Sequence, residues 1–106
     1  MRFSLGEFER AVLLAVARLD EQAYGMRIRQ ELELRLDRSV SIGAVYTTLD
    51  RMQEKGYVSS RLGEPTSIRG GRAKKFFRVE ALGTAALNQS REVAKVLWAM
   101  LPQKAR

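Results

Sequence analysis

The stretch SIGAVYTTLDRMQEKGYVSSRL, residues 41–62, holds a helix, its terminator and a strand in succession. Ser41 stands where an N-cap is needed, because its hydroxyl can accept an orphan N–H of the first turn. Val45, Leu49 and Met52 follow at the spacing of one buried helical stripe. Gly56 tolerates the left-handed backbone that ends helices and suits the position after the last turn. Beyond it, Tyr57-Val58-Ser59-Ser60-Arg61-Leu62 alternates with the two-residue period of a strand. A helix that runs into a strand through one glycine is the junction around which the rest of the chain is ordered.

Upstream, Ser4-Leu5-Gly6-Glu7 has the form of a capping box, with Ser4 as N-cap and Glu7 three residues on. Phe8, Val12, Ala15, Val16 and Leu19 then recur at helical spacing, which predicts a first helix of about 15 residues. Asp20-Glu21-Gln22 breaks the pattern. Ile28, Leu32 and Leu36 mark a second helix, with Arg27, Arg29, Glu31 and Arg35 on its wet side. Leu32, Leu34 and Leu36 also alternate as a strand would, but the Arg and Glu residues around them are better helix formers. Downstream, residues 63–71 contain Pro65, Thr66 and the pair Gly70-Gly71 and read as a loop. Lys75-Phe76-Phe77-Arg78-Val79 is a second short strand, and the two strands pair as an antiparallel hairpin with a long tip. A last helix runs from Ala81 to Leu101, up to Pro102. The order is helix, helix, helix, strand, basic loop, strand, helix. It outlines an α+β, mainly α, winged helix-turn-helix over residues 1–80, with residues 81–106 as a C-terminal helix and tail of the same structural unit.

Composition limits the chemistry. The 106 residues contain no cysteine and no histidine, which removes thiolate nucleophiles, disulfides, cysteine-based zinc sites and the usual general base. No metal or cofactor is expected, and an enzyme would have to work with carboxylates. Most of those stand at helical spacing beside Arg or Lys, as in surface ion pairs. The longest apolar run, residues 11–17, is far short of the ~20 residues that span a bilayer. With no signal-like leader at Met1-Arg2-Phe3-Ser4, a cytoplasmic protein is expected. The net charge of +7 favours an anionic partner, nucleic acid before a membrane surface.

The most basic stretch is SIRGGRAKKFF, residues 67–77. A glycine pair among cations can cradle a phosphate, tip a basic hairpin, or be a solvated loop. A phosphate cradle needs a strand, a loop and then a helix, whereas these glycines lead into a strand. A basic hairpin tip or a solvated loop remains, and from Arg69 to Arg78 the stretch carries five positive charges and no acidic residue. On the preceding helix, the face opposite Val45, Leu49 and Met52 is read as Ala44, Thr47, Thr48, Arg51 and Lys55, with Asp50 and Glu54 cancelling the two cations. Small residues let a helix sit deep in the major groove, where hydroxyls and arginine reach base edges. The joint pattern points to double-stranded DNA. The alternative is a winged helix used as a protein–protein or RNA-binding module, which has no need of that many unopposed charges on its wing.

Leu5 and Glu7, Tyr24-Gly25, Ile42-Gly43-Ala44-Val45-Tyr46 leading to Leu49, Glu54-Lys55-Gly56-Tyr57-Val58, Gly70-Gly71-Arg72, Lys75-Phe76-Phe77-Arg78-Val79 and Gly83 form an ordered set. In that set the chain resembles the PadR-type transcriptional regulators over nearly its whole length. It departs from them at Phe76 and Phe77, where two tyrosines are frequent, at Glu80, usually threonine, and at Thr47, often proline. With one helix after the wing it resembles the short branch of the family. The resemblance implies a homodimer joined through the last helix, acting as a ligand-responsive repressor on a near-palindromic operator. Ser41, Gly43, Ala44, Tyr46, Thr47, Thr48 and Arg51 would then enter or flank the major groove. Arg69, Gly70, Gly71, Arg72, Lys74 and Lys75 would follow the adjacent backbone or minor groove.

The last helix carries two apolar stripes. Leu82, Ala86, Gln89, Val93, Val96 and Met100 make one; Leu87, Ala94, Trp98 and Leu101 make the other, with Leu97 between them. A monomer's surface helix needs only one stripe. Either this is a single wide core face, or one stripe serves the subunit and the other, Leu87, Ala94, Leu97, Trp98 and Leu101, serves a partner copy. Trp98 is then an interface anchor or, with Ala94 one turn before it, a wall for a planar aromatic effector, as the resemblance also implies.

Overall fold

A computed structural model of the chain describes residues 5–64 and 73–105. Its elements are α1 (Glu7–Leu19), a 3-10 turn (Asp20–Gln22), α2 (Gly25–Leu36), α3 (Ile42–Glu54), β1 (Val58–Leu62), β2 (Lys75–Val79), α4 (Ala81–Trp98) and a final 3-10 turn (Gln103–Ala105).

The helix ends follow local chemistry. Gly6, not Ser4, caps α1: Glu9 Oε1 accepts the Gly6 N–H at 2.8 Å, and glycine has no side chain to complete the box. The capping register therefore lies two residues beyond the expected one, and Ser4 falls outside the described residues. At α3, Ser41 Oγ accepts the Ala44 N–H at 2.9 Å, the expected cap. The far end closes through two reversed bonds, from Gly56 N–H to the Gln53 carbonyl at 3.0 Å and from Tyr57 N–H to the Met52 carbonyl at 2.9 Å. Gly56 has φ +78, so this closure needs the residue without a Cβ.

The three N-terminal helices bury Val12, Leu13 and Val16 of α1, Ile28 and Leu32 of α2, and Val45, Leu49 and Met52 of α3, with Ala23, Val58 and Phe77 closing the cluster. Glu31 overturns the expected wet side of α2. It is only 6% exposed, and Arg35 Nε at 2.8 Å, Arg18 Nε at 3.1 Å and Arg27 Nη1 at 4.0 Å surround its carboxylate. A carboxylate so compensated can be withdrawn from water, which a hydropathy pattern does not register.

β1 and β2 pair antiparallel, Val58 with Val79 and Ser60 with Phe77. The segment before α2 adds a short third leg: Phe77 N–H donates to the Ala23 carbonyl at 2.8 Å, and Tyr24 bridges to Phe76. This is the winged helix-turn-helix arrangement, mainly helical with a two-stranded antiparallel wing.

α4 returns over the wing at Gly83, where a side chain would run into the Tyr57 carbonyl oxygen and Val79. Ala86 is buried and Leu87 packs on the core. From Val93 onward the helix leaves the body, and residues of both stripes stand in solvent, with Trp98 72% exposed. Cover thus changes along the helix for both stripes, with Leu82 at its start also exposed. The radius of gyration, 16.0 Å, exceeds the ~13 Å of a compact chain of this length, as a projecting helix requires.

Candidate nucleic-acid interface

The outer face of α3 consists of Gly43, Ala44, Tyr46, Thr47, Asp50, Arg51 and Glu54, all exposed, with the half-exposed Lys55 at the helix end. Thr48, expected there, is 5% exposed. Three positions on from Val45 is 60° short of a full turn at ~100° per residue, so Thr48 flanks the buried stripe instead of opposing it. Asp50, three residues after Thr47, takes the place on the outer face that Thr48 was expected to hold. Ser41 is exposed, but its hydroxyl already accepts the Ala44 N–H.

Tyr46 lies across the start of α2. A Cβ built on Gly25 would overlap its hydroxyl and ring, so the tyrosine can stand there only because position 25 has no side chain. Arg51 and Lys55 are not balanced by Asp50 and Glu54, as the sequence suggested, since i and i+1 do not face each other on a helix. They turn toward α1. Arg51 Nη1 lies 3.2 Å and Lys55 Nζ 4.0 Å from Glu9 Oε2. The Gly6 N–H first, and then Arg51 and Lys55, hold the Glu9 carboxyl below the usual carboxylate value, against the burial that raises it.

The wing is tied to α3 by Gln53 Nε2, which donates to Ser60 Oγ at 3.0 Å. Its base is a run of cations and rings. Arg61 lies 4.7 Å from the Phe76 ring centre, Phe76 meets Tyr24 edge-on at 5.5 Å, and Lys74 Nζ stands 4.2 Å from the Tyr24 ring centre. Lys75 lies 5.7 Å from the Phe77 ring centre. Cations held over aromatic faces keep their charge while losing freedom. Neither Arg61 nor Tyr24 was among the site residues expected from sequence, where Tyr24 stood only as a motif residue beside Gly25. The Arg61–Phe76 strand pairing could have disclosed the arginine, but Tyr24 reaches the wing only through tertiary packing. Arg78, counted among the unopposed charges, pairs with Glu80 Oε2 at 3.5 Å. Glu80 also accepts a hydrogen bond from the Ser59 hydroxyl; that bond, ahead of Arg78, lowers its carboxyl from the ordinary value. Arg69, Gly70, Gly71 and Arg72 lie outside the described residues.

At the far end of the molecule, Val93, Val96, Leu97, Trp98, Met100 and Leu101 are exposed together, while Ala94 is half-buried. Among the described residues no three His, Cys, Asp or Glu side chains come together to hold a metal ion, and no helix is long and apolar enough to cross a membrane.

A three-helix body carrying a two-stranded basic hairpin places the chain in the winged helix-turn-helix class of fold. The sequence profile of the "Transcriptional regulator PadR-like family" matches residues 13–89. Among solved structures, the chain is similar to a PadR-like transcription factor from "bacteroid fragilis", with TM-score 0.72 and 24% identity over 85% of this chain and 82% of that one. It is also similar to a PadR-like transcriptional regulator from Bacillus cereus strain ATCC 14579, with TM-score 0.70 and 22% identity over 87% and 84% of the two chains. A PadR family transcription regulator from Clostridium difficile R20291 gives TM-score 0.65 and 23% identity over 92% and 98%. No curated protein matches the chain. The chain belongs to the PadR-like family of transcriptional regulators, a family of DNA-binding regulatory proteins.

Proposed function

We propose that the protein is a cytoplasmic homodimeric repressor that reads a near-palindromic operator and releases it in response to a planar aromatic compound. The observation that carries the DNA part is the bond between Gln53 and Ser60, which joins the small-residue face of α3 to the basic hairpin as one surface. Gly43, Ala44 and Thr47 allow close approach to the major groove, and Ser41, Tyr46 and Arg51 flank it. Lys74 and Lys75, with Arg69, Gly70, Gly71 and Arg72 of the wing tip, follow the neighbouring phosphates. Residues 1–80 form the reading head and residues 81–106 the dimerising arm of one unit.

The arm is proposed to bind a second copy because Val93, Val96, Leu97, Trp98, Met100 and Leu101 are exposed among the described residues, and a contiguous patch of this kind marks an interaction surface. Leu97, Trp98 and Leu101 would carry the contact, with Ala94 and Leu87 at its inner edge. With a small residue at 94, one turn before Trp98, a flat guest would have room between the two copies. The experiment is a gel-shift and footprint on the DNA upstream of the coding sequence, with duplex RNA as competitor, alongside sedimentation of the free protein. A two-fold footprint with half-sites about one helical turn apart is expected. An asymmetric footprint on a monomer, or preference for the RNA, would overturn the proposal. A Lys74→Ala, Lys75→Ala variant should bind every duplex more weakly, with a salt slope shallower by about one per lost phosphate contact.

A further inference from the structure

We propose that Glu9 is a positioning residue that holds Arg51 and Lys55 back from DNA and so restrains indiscriminate binding; this rests on the DNA-binding reading above. Arg51 and Lys55 are the only basic residues between positions 42 and 56, so they are the whole cationic endowment of the recognition helix. Both turn to one carboxylate on α1. Glu9 divides its oxygens, with Oε1 accepting the Gly6 N–H at 2.8 Å and Oε2 facing Arg51 Nη1 at 3.2 Å and Lys55 Nζ at 4.0 Å.

The burial is asymmetric. The Glu9 side chain is 15% exposed, while that of Arg51 is 49% exposed. The Glu9 side chain is therefore the more covered of the two and is fixed by its backbone bond, and the guanidinium remains open to an incoming phosphate or base edge. Asp50 and Glu54 are also exposed on this helix, so an approaching polyanion meets carboxylates on it as well as the two cations. A phosphate must outbid Glu9 for Arg51 and push past these carboxylates. A correctly placed base edge can add contacts that a bare phosphate cannot. On a chain of net charge +7, such a device moves non-specific attraction onto the wing and leaves α3 to discriminate.

Glu9→Gln tests this directly, because the amide oxygen can still accept the Gly6 N–H and keep the helix end closed, while the negative charge is removed. Binding to a short random-sequence duplex would be followed by fluorescence anisotropy across a salt series. The gain should be about two- to fivefold, the scale of one solvent-screened ion pair. The salt slope should steepen by about one, as Arg51 takes up a phosphate. Thermal unfolding should stay close to wild type, and the gain should vanish in an Arg51→Ala, Lys55→Ala background. If the same gain persists in that background, the effect is general charge and the proposal falls. If the wild type binds the duplex and Glu9→Gln does not tighten it, the proposal falls while the DNA-binding reading stands. A wild type that binds no duplex at all would remove the DNA-binding reading and this one with it.

Discussion

Gly25 and Tyr46 occupy one another's space: the tyrosine ring, from the recognition helix, lies where a side chain on the first residue of α2 would be. The contact joins the two helices of the helix-turn-helix and sets the direction of a hydroxyl on the side proposed to face DNA. Gly25→Ala would not strike backbone. It would strike the far end of a side chain that can swing outward. Thermal stability should therefore change little, while duplex affinity falls as Tyr46 is displaced. Equal affinity for DNA in the variant would show that the position of Tyr46 does not matter to binding.

Gly83 presents the opposite case. Here a Cβ would meet the Tyr57 carbonyl oxygen and the Val79 side chain, and neither the Tyr57 backbone nor the strand end carrying Val79 can swing away. Gly83→Ala should push α4 off the wing and cost about 1–3 kcal/mol, as overpacking does, even after the helix-propensity gain. A urea midpoint unchanged from wild type would mean that α4 does not rest on the hairpin as described.

The Glu31 cluster makes stability depend on pH. The hydrogen bond from Arg35 first, then the charges of Arg35, Arg18 and Arg27, lower the Glu31 carboxyl from its ordinary value of 4.5, although burial opposes them. A folded-state pKa below the unfolded one means that the unfolded chain takes up the proton first on acidification. The stabilisation is then complete above the ordinary value and is lost as pH falls through the folded one. Glu9 and Glu80, lowered for their own reasons, add to the same trend. The urea midpoint should drop on acidification below about pH 4.5, and Glu31→Gln should start lower at neutral pH and show a flatter decline. A variant whose acid profile overlays that of wild type would exclude Glu31 as a contributor.

Those three sites also mark what the sequence disclosed. The junction at residues 41–62 was legible because each part is local: a hydroxyl three residues before an N–H, a stripe at helical spacing, one glycine at the end. The first wing strand was legible by alternation. Glu9 with Arg51 was not, because the partners are 42 residues apart and only the packing of α1 on α3 brings them together. Glu31 was misplaced because charge is read as exposure unless its counter-ions are known. Two of its three arginines lie on its own helix at i±4, but the third comes from α1. Thr48 was misplaced by arithmetic on the helical wheel, and Gly25 could be seen as a motif residue but not as the support of Tyr46.

Trp98 decides what the projecting end of α4 is for. Its ring is open to solvent together with Val96, Leu97 and Met100, and half-buried Ala94 lies one turn before it. As an anchor between two copies, it would bury a large apolar surface near the two-fold axis, where truncation is most costly. Trp98→Ala should then loosen the dimer by a few kcal/mol, and DNA affinity should fall with it, because two linked reading heads become two separate ones. As a wall for a flat guest, the ring would leave the dimer and its DNA affinity largely intact when removed, while planar aromatic dyes lose their hold. Sedimentation of the variant, with a dye titration in parallel, separates the two outcomes. A variant that sediments as wild type and binds such dyes as wild type does would sink both roles.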